Sequence, residues 1–138
     1  MQKVSSRQVY FDNASTTKIN DEVKKTYFEL VDTYFENSES LYSGGVSINQ
    51  LVEKSRANIA SLLNVESKEI IFTSCASEAN ALAIKGIAFK YLNQNKHLIT
   101  SKVEHSSVLN AFKQLEELFG FDVTYIDVDE FGCVDYEQ

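Results

Sequence analysis

The sequence predicts an α/β fold in which helices flank a mostly parallel sheet. From residue 66 onward, short apolar segments alternate with helical ones: residues 69–72, 97–100 and 122–128 predict strands, and residues 76–91 and 106–118 predict helices. Strands that alternate with helices of about 12 to 16 residues form βαβ units with parallel neighbours and right-handed crossovers. About three core strands make a small sheet, so we expect the domain to be incomplete at residue 138.

The first part of the chain, residues 1–65, has a different pattern and is predicted to precede the α/β domain of residues 66–138 as a strand, a loop and helices. Residues 9–11 form a short apolar run. Apolar side chains then recur with a period of 3.6 residues in residues 20–35 and again in residues 48–63, which predicts two amphipathic helices.

Turn-forming residues separate these elements. The loop at residues 36–45 contains Gly44 and Gly45, which permit left-handed conformations, a close backbone approach or a flexible tether. Residues 129–132 (DEFG) predict a turn, and residues 134–138 resemble the beginning of another helix with Asp135 as its N-cap.

Charge and composition exclude several classes of partner. The chain carries 20 acidic and 13 basic residues, a net charge of −7, and no stretch concentrates Lys and Arg. Nucleic acid and anionic membranes are therefore not expected partners. Two cysteines, Cys75 and Cys133, are too few for a disulfide framework or a zinc knuckle. No apolar run approaches the about 20 residues that span a bilayer, and residues 1–7 lack a signal-peptide pattern, so we expect a cytoplasmic protein.

Residues 71–80 (IFTSCASEAN) are the most informative segment for a binding site. They predict a strand, a tight turn of small residues and a helix N-terminus. The first N–H groups of a helix lack internal partners and lie at the positive end of its dipole, so they favour an anion such as phosphate. The Ser77 hydroxyl would add a hydrogen bond, whereas the Glu78 carboxylate would repel a phosphate and is expected to point elsewhere. An ordinary turn capped by Ser74 or Cys75 explains the same residues.

His105 follows the next predicted strand. Ligands of open parallel sheets bind at the carboxyl ends of the strands, so Ser77 and His105 are expected to face one crevice. A histidine there can stack on a flat ring, transfer protons or bind metal, or it can simply cap the following helix. A metal is the weakest of these options, because no second His or Cys lies at ligand spacing.

Four segments in register resemble the cysteine desulfurases, the NifS-like group of class V aminotransferases with PLP-dependent fold type I. Residues 12–17 (DNASTT) match the family pattern D-N-A-[AS]-T-T, and residues 37–45 match N-P-S-S-x-H-x-x-G. Residues 72–80 match the phosphate-binding turn F-T-S-G-A-T-E-[AS]-N, extended by residues 82–86 (LAIKG). Finally, residues 99–109 match I-T-x-x-x-E-H-x-x-V-L.

The resemblance implies the N-terminal part of a fold type I large domain and a set of site residues. Ala76 and Ser77 would bind the phosphate of pyridoxal 5'-phosphate (PLP), and His105 would stack on its pyridine ring as the catalytic residue of this segment. The substrate entrance would be lined by Asn13, Ala14, Ser15 and Thr16. No metal is implied.

Three of the chain's departures from the family pattern matter for the site. Cys75 replaces a glycine, which adds a side chain to a tight turn and places a thiol where a helix dipole would acidify it. Ser77 replaces threonine and keeps the hydroxyl, and Tyr42 replaces histidine. The resemblance also implies that the PLP-bearing lysine, the Asp and Gln that contact the ring, and the mobile sulfur-accepting cysteine lie beyond residue 138. We therefore expect an N-terminal segment without activity of its own.

The implied parent reaction converts L-cysteine to L-alanine and transfers sulfur to an enzyme persulfide for iron–sulfur cluster or thiolation pathways. A homodimer and a sulfur-acceptor or scaffold protein are the partners that the resemblance implies. Two alternatives stay open: a selenocysteine lyase or another class V PLP enzyme, and a non-catalytic phosphate-binding or interaction module from a truncated gene.

Overall fold

The computed structural model describes residues 9–134, which divide into two compact units after Ile70. The boundary predicted after residue 65 lies slightly earlier, and the assignment of separate roles to the two parts stays a prediction. The helix start predicted at Asp135 lies outside the described residues.

Among the described residues, the first element of the first unit is helix α1, Asp21–Thr33, and the strand expected from the apolar run at residues 9–11 is not formed. Its N-cap is Asn20, whose side-chain oxygen accepts a hydrogen bond from the backbone N–H of Glu22 at 2.8 Å. The acidic side chains of Asp21 and Glu22 lie in the first turn, where they complement the helix dipole. The predicted amphipathic helix is therefore confirmed, although none of its residues is buried.

Helix α2, Ser43–Leu63, begins earlier than the predicted residue 48. The prediction of a loop up to Gly45 was wrong at its end, because Gly44 and Gly45 belong to the first helical turn. The freedom that glycine provides is used here for close approach: a Cβ on Gly45 would lie 2.5 Å from the carbonyl oxygen of Ser40. Asn64 ends the helix in the left-handed conformation, with φ 55°, which Asn tolerates better than most residues.

The strand predicted at residues 69–72 is not formed, and this prediction was wrong. A 3₁₀ turn occupies Ser67–Glu69, Ile70 after it is extended, and residues 70–73 belong to no strand in the part of the chain that the structure describes. Ile71 and Phe72 are exposed rather than buried. A β-strand requires a neighbour for its N–H and C=O groups, so an extended apolar segment becomes a strand only where a partner is present.

The second unit is the predicted βαβ arrangement preceded by a helix, which confirms the mixed α/β class. Helix α3, Ala76–Lys90, leads to strand β1, His97–Ser101. Helix α4, Ser106–Phe119, then crosses over to strand β2, Asp122–Ile126. The strands are parallel, with His97 opposite Asp122 and Ser101 opposite Ile126.

The core of this unit lies where the two helices meet the sheet. Its buried residues are Ala88, Leu115, Phe121 and Val123, and Ile84, Leu92, Leu98, Phe112 and Tyr125 pack against them. Leu115 is completely buried, and Gly120 ends α4 with φ 66°, so that Phe121 turns back into this core. The helices and the sheet thereby fix the position of the loop that joins β1 to α4.

The predicted turn at residues 129–132 is also present. Gly132 donates its N–H to the carbonyl oxygen of Asp129 at 3.0 Å and has φ 82°. It brings Val128 and Val134 into an isolated antiparallel bridge. Among the described residues the sheet therefore has two strands, rather than the about three expected from the sequence.

Candidate functional site

The N-terminus of α3 is held by Glu78 rather than by its N-cap residue. Cys75 occupies the N-cap position and makes no side-chain capping bond. Instead the Glu78 carboxylate accepts hydrogen bonds from the backbone N–H of Ser74 at 2.6 Å and from its hydroxyl at 2.7 Å. This pairing lowers the pKa of Glu78, mainly through the Ser74 hydroxyl. The expectation that the carboxylate points away from a bound anion stays a prediction.

Cys75 is exposed, and its thiol is acidified by the helix that follows it. The backbone N–H of Glu78 has the largest effect in lowering the pKa of Cys75, followed by the Ser74 hydroxyl, 3.8 Å from the sulfur, and the backbone N–H of Ser77. The negative charge of Glu78 opposes this effect. The N–H groups expected to favour an external anion thus already face the Cys75 sulfur.

A groove of about 270 Å³ runs between α3 and α4 and begins at their N-termini. Ser77 lies at one side of its upper end and Ser106 and Ser107 at the other. Lower in the groove, Lys85 donates a hydrogen bond to Gln114 at 2.5 Å. The structure therefore brings Ser77 next to the segment that carries His105, as the sequence predicted. Only the upper end of the groove coincides with the predicted site.

His105 is the N-cap of α4, as one of the alternatives drawn from the sequence predicted. Its Nδ1 accepts a hydrogen bond from the backbone N–H of Ser107 at 3.1 Å and lies 2.8 Å from the Ser107 hydroxyl. The side chain is exposed. Capping through one ring nitrogen leaves the flat faces of the imidazole available, so it is compatible with stacking on another ring.

Sequence reasoning singled out His105 but missed the residue that reaches it from the other helix. Asn80, on α3, donates its side-chain N–H to the Ser107 hydroxyl at 2.9 Å. Asn80 belongs to the matched segment of residues 72–80, which was the one available signal. The contact could not be predicted from the sequence, because Asn80 and Ser107 are 27 residues apart and only the packing of α3 on α4 brings their side chains together.

The predicted substrate-entrance residues form a tight turn in the first unit. Ser15 and Thr16 donate their backbone N–H groups to the carbonyl oxygen of Asp12, at 3.1 and 3.3 Å. The Tyr10 hydroxyl lies 2.9 Å from the same oxygen and 3.0 Å from that of Thr16. Asn13 and Ala14, at the tip, are exposed. Their role at a substrate entrance stays a prediction.

Metal ligation and membrane spanning are two further possibilities for residues 9–134. No group of three or more His, Cys, Asp or Glu side chains in this part of the chain is arranged to hold a metal ion. None of the helices described there is long and apolar enough to cross a membrane.

Comparison with known proteins identifies what this arrangement resembles. Residues 9–138 match the family model described as aminotransferase class-V. A cysteine desulfurase IscS of Neisseria gonorrhoeae is 44% identical over 131 residues, which cover 94% of this chain and 32% of the relative. A NifS/IcsS protein homolog of Lactobacillus delbrueckii subsp. bulgaricus is 45% identical over 130 residues, 34% of its length.

Solved structures of similar proteins have the same fold over most of this chain. A structure described as a NifS-like protein superposes with a TM-score of 0.85 at 36% identity, covering 94% of this chain and 35% of that one. A second, described as SspA in complex with cysteine, has a TM-score of 0.75 at 40% identity over 84% of this chain and 33% of the other. The chain thus spans about a third of the length of the relatives that it matches.

Proposed function

Since the chain belongs to the class V aminotransferase family, we propose that it forms the amino-terminal third of a PLP-dependent cysteine desulfurase. The relatives described as cysteine desulfurases, at 44% identity, and the neighbour described in complex with cysteine support this choice within the family. The observation that carries the proposal is the position of Ser77 beside the α4 N-terminus, at the shared upper end of one groove.

The proposed reaction takes L-cysteine and an enzyme thiol to L-alanine and an enzyme persulfide. The carbon–sulfur bond of the substrate breaks, a sulfur–sulfur bond forms on the enzyme, and a proton replaces sulfur on the substrate carbon. PLP, when bound, supplies an electron sink for the electrons of the substrate. The lysine that carries PLP and the cysteine that accepts sulfur would come from residues beyond 138.

Within the described residues, the α3 N-terminus fits the phosphate of PLP. Ala76 and Ser77 are exposed at the positive end of a 15-residue helix, and the Ser77 hydroxyl lines the groove. The anionic side chain of this turn, Glu78, is held by Ser74. Backbone N–H groups and a hydroxyl at such a terminus are suited to an anion.

The His105 ring would bind the flat face of the cofactor. It follows β1, at the same end of the unit as Ser77, and its Nδ1 is engaged by Ser107. The ring plane is therefore held from within the chain, while the exposed Nε2 edge and ring faces can meet a ligand. This is the contact through which the segment would take part in the chemistry.

Cys75 is the departure that the proposal must accommodate. Its acidified thiol faces N–H groups that would otherwise meet the phosphate. Because the residue is exposed, the side chain can rotate aside when a doubly charged phosphate approaches the same dipole.

A cytoplasmic location, a homodimer and a sulfur-acceptor or scaffold protein complete the proposal. An acidic chain with two free, exposed thiols is compatible with a reducing compartment. The apolar face that α1 leaves exposed is the surface that a second subunit would cover.

Sequencing the gene beyond codon 138 and measuring cofactor binding test the proposal. We expect the reading frame to continue into a lysine-bearing segment and its product to bind PLP with an absorption band that borohydride removes. Ser77→Ala should weaken binding of PLP more than binding of phosphate-free pyridoxal. A stop codon at this position, or a full-length product that binds no PLP, would favour the non-catalytic module.

A further inference from the structure

A chain of three side chains links α3 to the predicted stacking residue on α4. Asn80 donates its side-chain N–H to the Ser107 hydroxyl at 2.9 Å, and this hydroxyl lies 2.8 Å from Nδ1 of His105. The backbone N–H of Ser107 donates to the same ring nitrogen at 3.1 Å. The Asn80–Ser107 contact is partly buried, so water competes for it less than at an open surface.

The direction of these hydrogen bonds determines where the imidazole carries its proton. A backbone N–H can only donate, so the hydrogen bond from the Ser107 N–H forms only while Nδ1 of His105 is unprotonated, and it favours that tautomer together with the Ser107 hydroxyl. The Ser107 oxygen accepts a hydrogen bond from the Asn80 side-chain N–H and can then direct its own O–H to Nδ1. A neutral His105 therefore carries its proton on Nε2.

We infer that Asn80 and Ser107 are positioning residues, which hold the His105 ring in one orientation and in its Nε2–H tautomer for a flat, aromatic, anionic cofactor. The identity of that cofactor rests on the proposed function, whereas the tautomer rests on the hydrogen bonds alone. Exposed imidazole rings otherwise rotate and exchange tautomers, so a stacking surface requires such a restraint.

The position of Asn80 adds a second consequence. Asn80 lies three residues after Ser77 on α3, and residues at this spacing share one side of a helix. The same helix would therefore hold the phosphate through Ser77 and the ring-binding histidine through Asn80. The distance between the two contacts would then be set by α3 rather than by a flexible loop.

The decisive readout is the tautomer of His105, since a general loss of stability would not select one ring nitrogen. The protein of the whole reading frame would be labelled with ¹⁵N-histidine and studied without cofactor at alkaline pH, where an ordinary imidazole is neutral. His105→Gln identifies the signal. One-bond and two-bond couplings to the ring protons then show which nitrogen is protonated.

Four variants separate the contacts. Ser107→Ala removes the hydroxyl and keeps the backbone N–H, while Ser107→Thr keeps both. Asn80→Asp preserves the size of the side chain but replaces the donor with a carboxylate. The Ser107 hydroxyl would then donate its hydrogen bond to this carboxylate instead of to Nδ1 of His105. Thr124→Val is the matched control, because Thr124 lies 2.7 Å from Nε2 of the other histidine, His97.

We expect the Nε2–H form alone in the unmodified protein and a mixture of tautomers in Ser107→Ala and Asn80→Asp. Ser107→Thr should restore the single form, and Thr124→Val should alter only the His97 signal. Affinity for PLP should fall about fivefold in Ser107→Ala and in Asn80→Asp, which is the effect of one lost hydrogen bond. The threonine variant should bind as the unmodified protein does.

Two results would overturn the inference: an Nδ1–H tautomer in the unmodified protein, or a tautomer that is unchanged in both Ser107→Ala and Asn80→Asp. If instead the tautomer responds as expected but no variant binds PLP, the positioning of His105 stands and the proposed function fails. If PLP binds equally to all variants while the tautomer changes, the restraint exists but does not serve the cofactor, and the inference fails.

Discussion

The Glu78 carboxylate forms two hydrogen bonds with Ser74, one from the backbone N–H at 2.6 Å and one from the hydroxyl at 2.7 Å. A residue in the first turn of α3 thus satisfies the peptide that precedes the helix, in place of a side-chain cap from Cys75. The contact closes the turn, and it holds the negatively charged Glu78 carboxylate in hydrogen bonds beside the predicted phosphate site.

Because of this contact, the stability of the protein should depend on the protonation of Glu78 at acid pH. The pKa of Glu78 is lowered, so the stabilisation that the pair provides is complete above the ordinary glutamate value and is lost as pH falls through the lowered one. NMR should place the Glu78 midpoint below the ordinary value of about 4.3. Ser74→Ala should raise this midpoint, because it removes the hydroxyl and leaves the N–H. A midpoint that does not move would show that the hydroxyl has no effect.

Alkylation should reveal the acidified thiol of Cys75. In a Cys133→Ser background, where Cys75 is the one remaining thiol, the iodoacetamide rate should rise at a pH below that of an ordinary cysteine, because the pKa is lowered. Ser74→Ala should move this profile to higher pH, and Glu78→Gln should move it lower by removing the opposing charge. Identical profiles for the three proteins would contradict this electrostatic account.

The helices could be predicted from the sequence because their signals are local. The apolar period and the cap at Asn20 are present in neighbouring residues, and strand His97–Ser101 contains the apolar pair Leu98 and Ile99 between polar residues. The segment at residues 69–72 contains a longer apolar run, residues 70–72, yet no strand is formed there, because strand formation depends on long-range pairing that no local pattern reveals. The prediction therefore failed where the structure depends on a distant neighbour.

The candidate site shows the same division. Ser77 and His105 could be singled out because each follows a predicted strand. The strand predicted before Ser77 is not formed, so it is the packing of α3 beside α4 that brings the two segments to one end of the groove. The Asn80–Ser107 hydrogen bond could not be predicted, since it depends on how α3 packs against α4. The start of α2 was predicted too late, at residue 48, because Gly44 and Gly45 are poor helix formers, although the close approach of Ser40 requires a glycine at position 45.

Two glycines should respond oppositely to alanine. In Gly45→Ala the new methyl group would lie 2.5 Å from the Ser40 carbonyl oxygen and 2.7 Å from that of Asn37, so we expect a loss of about 1–3 kcal/mol in the free energy of unfolding. Gly86→Ala, inside α3, meets no atom within 4 Å and should gain up to about 1 kcal/mol. Urea denaturation of the protein of the whole reading frame measures both. Equal effects at the two positions would refute the packing argument.

The isolated 138-residue chain should self-associate. The apolar side chains of α1 are exposed, among them Tyr27 at 62% and Val23 at 60%, and contiguous apolar surface favours association over the screened repulsion of a net charge of −7. Sedimentation velocity at several concentrations should show species larger than a monomer. Tyr27→Lys together with Val31→Glu, both on the exposed α1 face, should reduce them. A monomer that unfolds cooperatively would show that the chain is self-sufficient.

The central claim is that these residues form part of a site that removes sulfur from L-cysteine, and the formation of L-alanine measures it most directly. With PLP and L-cysteine, the protein of the whole reading frame should produce alanine and persulfide sulfur in equal amounts before an acceptor is added. The 138-residue chain should produce none above the PLP background, and His105→Gln should abolish most of the activity. Alanine formation by the 138-residue chain, or none by the whole protein when PLP is bound, would contradict the account.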